Sequence, residues 1–157
     1  MSTKRWALPC WFFFHGIAEK ISKSFYEKEY EGVFGLITLI CKNLPCPFCR
    51  VHAAKYLQNK RAKDVNTKKK LKQFLFVFHN DVNKRIGHRV FGEDILLKYK
   101  KIDIEKAYIY FNQQFYGAYI VNHDFNGWRR NMVQDNVKDY LRDRWGQMFR
   151  QEDCKED

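Results

Sequence analysis

The chain has 157 residues with neither a low-complexity linker nor an internal repeat, so we expect one compact domain with a terminal appendage. Hydrophobic residues make up 45% and aromatic residues 17%, which excludes a largely disordered chain and suits a pocket around a flat ring. The formal net charge is +11, and part of it lies at 60–72. We interpret that run as a solvated loop, and nucleic-acid binding is not expected.

The cysteine content and the N-terminal apolar stretch indicate in which cellular compartment the protein is expected. The cysteines are Cys10, Cys41, Cys46, Cys49 and Cys154. They are odd in number and too few for the disulfide framework of a small secreted domain. The apolar stretch at 6–18 contains Pro9 and His15, lacks a small-residue cleavage site and is too short to span a membrane. These features predict a soluble intracellular protein.

The first part of the chain shows helical spacing of apolar residues and no convincing strand. One helix is predicted over 9–22 and a second over 25–41, before the sequence Asn43-Leu44-Pro45 interrupts the pattern. After Pro45, residues again recur at steps of three and four. This places Cys46 and Cys49 in the opening turn of a third helix.

A fourth helix is predicted after the basic run. Thr67 is suited to cap it, and Gly87 is placed to terminate it after Arg85. A short helix over 93–99 follows. Four helices and a short fifth therefore precede residue 100.

The region from residue 101 onward is predicted to add two helices. Asp103 could cap one that reaches Phe115, the segment 122–126 resembles a turn, and an apolar stripe from Trp128 to Met148 predicts a long last helix. The favoured interpretation is that this stripe packs on the rest of the domain or extends a dimer interface. The alternative is recruitment of a substrate protein or nucleic acid.

The CxxC pair of Cys46 and Cys49 is the strongest candidate for chemistry. At a helix N-terminus, unpaired backbone N–H groups and the helix dipole favour a thiolate. Two such sulfurs can hold a disulfide that an outside thiolate opens and a neighbouring electron acceptor restores. The alternative is a zinc-stabilised nucleic-acid-binding or protein-binding module, in which His52 and His79 complete a tetrahedral set with the cysteines.

Three predicted helices carry pairs of polar or aromatic residues one turn apart. The pairs are Trp11 with His15, Cys49 with His52, and His79 with Asn83. Any one pair is explained by an ordinary core, but together with the CxxC they favour a cofactor site. A flavin is the common acceptor for dithiol electrons. Since no GxGxxG follows a strand, helices would have to bind the dinucleotide.

Three ordered motifs are WFFFH at 11–15, CPFCRVH at 46–52 and HNDVNKRIGH at 79–88. They match WxxxH, CxxCxxH and HNxVNxxLxK, and together they resemble the Erv/ALR family of FAD-linked sulfhydryl oxidases. The chain lacks a second CxxC and has Trp6 five residues before Trp11. In both respects it is similar to the short enzymes of large DNA viruses.

The resemblance implies an all-α fold, with a four-helix FAD-binding bundle plus a short fifth helix at 1–100. The resemblance does not cover the region from residue 101 onward, for which the residues themselves predict a C-terminal helical extension at 101–149 and a polar tail at 150–157. It also implies a homodimer packed through the first two helices. The enzyme would oxidise thiol-containing proteins, either thioredoxin-like or virion proteins, and reduce O2 to H2O2. Host cytoplasm or virion is the expected location.

Residue by residue, the resemblance makes Cys46 the sulfur that exchanges with substrate and Cys49 the charge-transfer thiolate facing the flavin. The predicted FAD-binding residues are Trp11, His15, Cys49, His52, Phe74, His79, Asn80, Asn83, Lys84 and His88. No metal ligand is implied.

The chain also departs from the family pattern. Phe74 and His88 stand where the family has Trp and Lys, and Ala7-Leu8 stands where many cellular members have Gly-Arg. A phenyl ring can still stack, but an Arg and a Lys are lost. Lys84, Arg85 and Lys98 are therefore candidates for the missing pyrophosphate contacts. Cys154, on the polar tail, is interpreted as an incidental surface thiol, with a one-cysteine shuttle as the alternative.

Overall fold

The computed structural model describes residues 5–121 and 127–151. Its helices are α1 (Ala7–Lys20), α2 (Lys23–Lys42), α3 (Pro47–Leu57), α4 (Lys68–Arg85), α5 (Ile95–Tyr99), α6 (Ile104–Val121) and α7 (Gly127–Met148), with a 3-10 helix at Ala62–Val65. No strand occurs in these residues, so the predicted all-α fold is confirmed. Within the same residues, no helix combines the length and the apolar character that crossing a membrane requires.

Capping side chains set several helix ends. The first helix was predicted to reach Ser22, which is wrong, because Ser22 Oγ instead accepts the Phe25 N–H at 3.1 Å and caps α2. The Thr67 cap is confirmed, since its hydroxyl accepts the Lys70 N–H at 3.2 Å. Asp103 caps α6 as predicted, through N–H groups of its first turn, but the helix continues to Val121 and not only to residue 115.

The start of α3 and the end of α4 lie where the sequence predicts them. Cys46 is the N-cap of α3 and Pro47 its first residue, where a missing N–H leaves no partner unsatisfied. Gly87 has φ of 74° after the end of α4, a left-handed conformation that glycine adopts without strain. The His88 N–H then bonds the Asn83 carbonyl at 2.8 Å, which turns the chain towards α5.

A shared apolar core holds α1, α2, α3 and α4 together, and α5 packs against α1. Its largest fully buried side chains in this part are Phe13, Phe14, Ile17, Ile21, Tyr26, Ile37, Ile40, Leu71 and Leu75. Burial of this kind stabilises a domain by about 25 cal/mol per Å² of apolar surface. The predicted bundle of four helices with a short fifth is present, and its core lies between α1, α2 and α4.

Helix α6 packs along α1, and α7 along α2. The α7 helix is anchored at both ends of α2: Arg129 Nη1 donates to Asn43 Oδ1 at 2.7 Å, and the Ser22 N–H donates to the Met148 carbonyl at 2.6 Å. Midway, a Cβ on Gly32 would lie 2.8 Å from the hydroxyl oxygen of Tyr140. Helix α7 therefore runs antiparallel to α2 over most of its length, in close contact.

The predicted apolar stripe of the last helix is buried at Val133, Val137, Leu141 and Met148. The prediction is wrong at Trp128, which is 64% exposed in the first turn of α7. The predicted turn at 122–126 and most of the polar tail, including Cys154, lie outside the described residues.

Candidate active site

The CxxC pair lies at the junction of α2 and α3. Both side chains are half-buried thiols outside any disulfide, and Cys46 Sγ accepts the Cys49 backbone N–H at 3.2 Å. Arg50 Nη1 donates to the Leu44 carbonyl at 2.8 Å, which fixes the turn that leads into Cys46. A backbone N–H directed at a sulfur at a helix N-terminus stabilises negative charge there. The local geometry suits thiol exchange at Cys46.

A cleft of about 950 Å³ opens between α1, α3, α4 and the chain that leads into α5. Ligand pockets range from about 300 to 1,000 Å³, so this one can take a large ligand. Cys49 lines the cleft, whereas Cys46 does not. The two sulfurs of the motif therefore have different surroundings.

Aromatic rings form one wall of the cleft. The rings of Trp11 and His79 stack at 4.0 Å with 6° between their planes, and His15 stacks on Tyr99 at 4.0 Å and 7°. The two histidines are joined by a hydrogen bond of 3.0 Å between His15 Nε2 and His79 Nδ1. These contacts order the flat rings against which a planar ligand can lie.

Burial keeps both histidines neutral near pH 7. Removal from water lowers the pKa of His15 to about 3, with the nearby His79 as the second cause, and lowers the pKa of His79 to about 4. In the hydrogen bond between two neutral rings, one nitrogen donates and the other accepts. The pair is thus a positioning contact without charge.

Two buried donors of the cleft have no hydrogen-bond partner in the described part of the protein. They are Asn83 Nδ2 and Trp6 Nε1, and each residue is about 5% exposed. Leaving a buried donor unpaired costs about 1–3 kcal/mol, so such atoms in a cleft point to a ligand with acceptor atoms.

Comparisons with known proteins identify the family. The model of the Erv1/Alr family matches residues 9–103, more than half of the chain. The chain belongs to the Erv1/Alr family. Two relatives named FAD-linked sulfhydryl oxidase, from African swine fever virus isolates of a Kenyan pig and a Namibian warthog, are 32% and 31% identical over 97 residues. Those residues are 60% of this chain and 77% of each relative.

A third relative of that name, from a Malawian tick isolate of the same virus, is 34% identical over 65 residues, which are 41% of this chain and 53% of the relative. No solved structure matches the chain. The predicted resemblance, including its similarity to proteins of a large DNA virus, is confirmed.

The predicted cofactor-binding residues of this Erv1/Alr protein fall into two groups. Six line the cleft: Trp11, Cys49, His52, His79, Asn83 and His88. Four lie outside the lining: His15, Phe74, Asn80 and Lys84. Among these four, His15 is 2% exposed behind His79, and Lys84 is exposed on α4.

The other two residues outside the lining contact residues that do line it. The ring of Phe74 lies 5.9 Å from that of Phe78, which lines the cleft. Both amide atoms of Asn80 bind the backbone of Phe91, whose N–H donates to Oδ1 at 2.9 Å and whose carbonyl accepts from Nδ2 at 2.8 Å. Phe91 lines the cleft, so Asn80 holds the chain that forms its rim.

Two of the three candidate cations reach the cleft. Arg85 and Lys98 line it, and Lys84 does not. Arg85 also pairs with Asp81 at 2.7 Å, one turn earlier on α4. A ligand that carries phosphate groups would meet positive charge at this rim.

Sequence reasoning missed several residues of the lining. Cys10, Cys41, Phe48 and Tyr99 belong to it. Cys10 and Phe14 lie one helical turn apart beside Trp11, a signal that could have been used. Tyr99 had no comparable signal, because it comes from a short helix that is distant in sequence.

The described part of the chain contains no set of side chains that could bind zinc as the alternative hypothesis requires. No group of three or more His, Cys, Asp or Glu side chains there is arranged to hold a metal ion. His79, the proposed fourth ligand, instead stacks on Trp11 and bonds His15. The geometry of the cleft favours a flat organic ligand.

Proposed function

We propose that this Erv1/Alr protein is an FAD-linked thiol oxidase that forms disulfide bonds in thiol-containing proteins. The observation that carries the proposal is the difference between its two sulfurs. Cys49 lines the aromatic cleft and Cys46 lies outside the lining, one helical turn away. The name of the viral relatives, FAD-linked sulfhydryl oxidase, supports the same activity.

Three features of the cleft support FAD as its ligand. Trp11 and His79 offer a stacked aromatic wall, Asn83 Nδ2 offers a buried donor, and Arg85 with Lys98 offers positive charge for a pyrophosphate. When bound, FAD would supply the two-electron acceptor that a dithiol needs and would hand the electrons to O2, giving H2O2.

The chain's own chemistry is thiol-disulfide exchange. A substrate thiolate attacks Cys46 Sγ of the oxidised pair, a substrate–Cys46 disulfide forms, the Cys46–Cys49 bond breaks and Cys49 leaves as a thiolate. The second substrate thiolate then attacks the sulfur of the first, which releases Cys46 as a thiolate. From dithiol to disulfide, the substrate loses two protons to solvent when its thiols ionise and two electrons to the cysteine pair. Cys49, on the cleft side, is the sulfur from which a bound FAD would take them.

The proposal extends to the biological setting. The substrates would be thioredoxin-like or virion proteins in the host cytoplasm or the virion, in line with the viral relatives. A homodimer is part of the same hypothesis, but it would need surfaces other than those that α6 covers on α1 and α7 covers on α2.

An absorption spectrum and an oxygen electrode test the proposal. The purified protein is expected to be yellow, to release FAD on denaturation, and to consume O2 when given dithiothreitol, with H2O2 as the product. Free FAD at the same concentration is the control. A colourless protein, or a yellow one that consumes no more O2 than free FAD, would contradict the proposal.

A further inference from the structure

Large apolar side chains are exposed on the helices that begin next to the CxxC and next to Asn43. Phe48 and Val51, in the first turns of α3, are 70% and 67% exposed. Trp128, at the start of α7, is 64% exposed. Aromatic side chains contribute strongly to binding when a partner covers them. Single exposed apolar side chains are common on protein surfaces, whereas groups of them mark interaction sites.

Trp128 belongs to the same end of the bundle as the CxxC. Its neighbour Arg129 donates to Asn43 Oδ1 at 2.7 Å, and Asn43 precedes Cys46 by three residues. Three residues of extended chain span at most about 11 Å, so the first turn of α7 lies within reach of one short peptide bound at Cys46. The C-terminal extension thus borders the site of exchange, although the family match ends at residue 103.

This end of the bundle is positively charged. The sequence from Gly32 to Lys63 contains no Asp or Glu, and it carries Lys42, Arg50 and Lys55 on either side of the CxxC. The first turn of α7 adds Arg129 and Arg130. Such a surface attracts an acidic partner and repels a second copy of this chain, which would bring the same cations against it.

We propose that Trp128, Val51 and Phe48 form a docking surface for the cysteine-bearing segment of a substrate protein, one with apolar residues beside the cysteine and acidic residues flanking them. The proposal rests on the proposed function and deepens it. A substrate sulfur that bonds to Cys46 brings its neighbouring residues onto this surface, because adjacent residues lie only about 3.8 Å apart. Trp128 gives the extension a role in substrate recognition.

The test compares small and peptide dithiols, using the full chain loaded with FAD. The substrates are dithiothreitol, a reduced two-cysteine peptide with Leu and Glu flanks, and the same peptide with Ser and Lys flanks. The variants are Trp128→Ala and Val51→Ser. Val77→Ser is the matched control, because Val77 is 48% exposed on α4 and lies outside the cleft.

We expect Trp128→Ala and Val51→Ser each to lower kcat/KM for the apolar acidic peptide by about fivefold or more. Turnover of dithiothreitol should stay unchanged in both, and Val77→Ser should behave as wild type with every substrate. The wild-type protein should prefer the apolar acidic peptide to the Ser and Lys peptide, and added salt should reduce that preference.

Several results would overturn the proposal. Unchanged peptide kcat/KM in both variants would show that the surface binds no substrate, and equal losses with dithiothreitol would show that the residues act on the chemistry. Self-association that Trp128→Ala abolishes, measured by light scattering, would assign the surface to a second copy. Wild-type protein that oxidises none of the three substrates would refute the proposed function itself, and the docking surface with it.

Discussion

Two pairs of cysteines outside any disulfide occur in the described part of the chain, and they differ sharply in their surroundings. Cys10 on α1 and Cys41 on α2 are 4% and 2% exposed in the core. Burial raises the pKa of Cys10 well above its ordinary value, and the neighbouring Cys41 adds to this effect. Burial also raises the pKa of Cys41, to about 12. Cys46 and Cys49 are half-buried at the N-terminus of α3.

The difference shows that position, and not residue type, assigns the chemistry. A thiol without access to water stays protonated and packs as a small apolar group. A sulfur at a helix N-terminus accepts a backbone N–H, as Cys46 does from Cys49, and can be reached from outside. Both pairs border the same cleft through Cys10, Cys41 and Cys49, so closeness to the cleft alone does not make a cysteine reactive.

Substitution by serine should separate the pairs most strongly. Cys46→Ser and Cys49→Ser are each expected to lower turnover of dithiothreitol by about a thousandfold or more, because a hydroxyl cannot exchange with a disulfide. Cys49→Ser should also remove any long-wavelength absorbance between thiolate and flavin, which Cys46→Ser should retain. Steady-state O2 consumption and the visible spectrum measure both effects.

Cys10→Ser is the comparison variant for the buried pair. Turnover per bound flavin is expected to fall by less than about tenfold, while the free energy of unfolding falls by about 1–3 kcal/mol, since serine places a hydroxyl in an apolar core. Loss of turnover as severe as in Cys49→Ser would mean that the buried pair exchanges electrons. Identical spectra of Cys46→Ser and Cys49→Ser would refute their separate roles.

Alkylation should give the next largest contrast. In the reduced protein, Cys46 is expected to react with iodoacetamide about a hundredfold faster than Cys10 or Cys41, because only the thiolate reacts and, of these three, Cys46 alone is both accessible and at a helix N-terminus. Timed labelling with peptide mass spectrometry measures the rates. The three rates should converge in denaturing urea, and protection of Cys46 in the folded protein would contradict the assignment.

Local sequence signals predicted the fold well where a single residue decides a boundary. The Thr67 cap and Gly87 after α4 are examples. The end of α1 was missed because Ser22 could continue one helix or cap the next, and only the packing of α7 on the α1–α2 turn makes the choice evident. The stripe of the last helix was predicted without a partner, which proved to be α2.

The candidate site was predictable only in part, because motifs give residues and not distances. Trp11, His79 and Asn83 were found from their spacing on two helices, and they line the cleft. Asn80 lies in the same motif, but its amide is taken up by the backbone of Phe91, eleven residues further on. No periodicity could have shown that contact, since it depends on the path of the chain after α4.

The buried histidines His15 and His79 show that burial also shifts the pKa of basic side chains, as it does for the buried cysteine thiols. The resulting pH dependence of stability is the smallest effect that we predict. Burial lowers the pKa of His15 to about 3 and of His79 to about 4, below the ordinary value of 6.5. Between pH 6.5 and about 4 the unfolded chain therefore binds more protons than the folded one. The free energy of unfolding must fall as the pH falls through this range, by at most about 1.4 kcal/mol per pH unit for each histidine.

Urea unfolding at about pH 7 and about pH 5 measures this loss, and His15→Gln isolates one share of it. Glutamine can still bond His79 but takes up no proton, so the variant should lose less stability on acidification than the wild type. Carboxylates titrate alike in both proteins, and their effect cancels in the difference. An equal loss in the two proteins would mean that His15 is protonated in the folded state, and that the His15–His79 bond is not a contact between neutral rings.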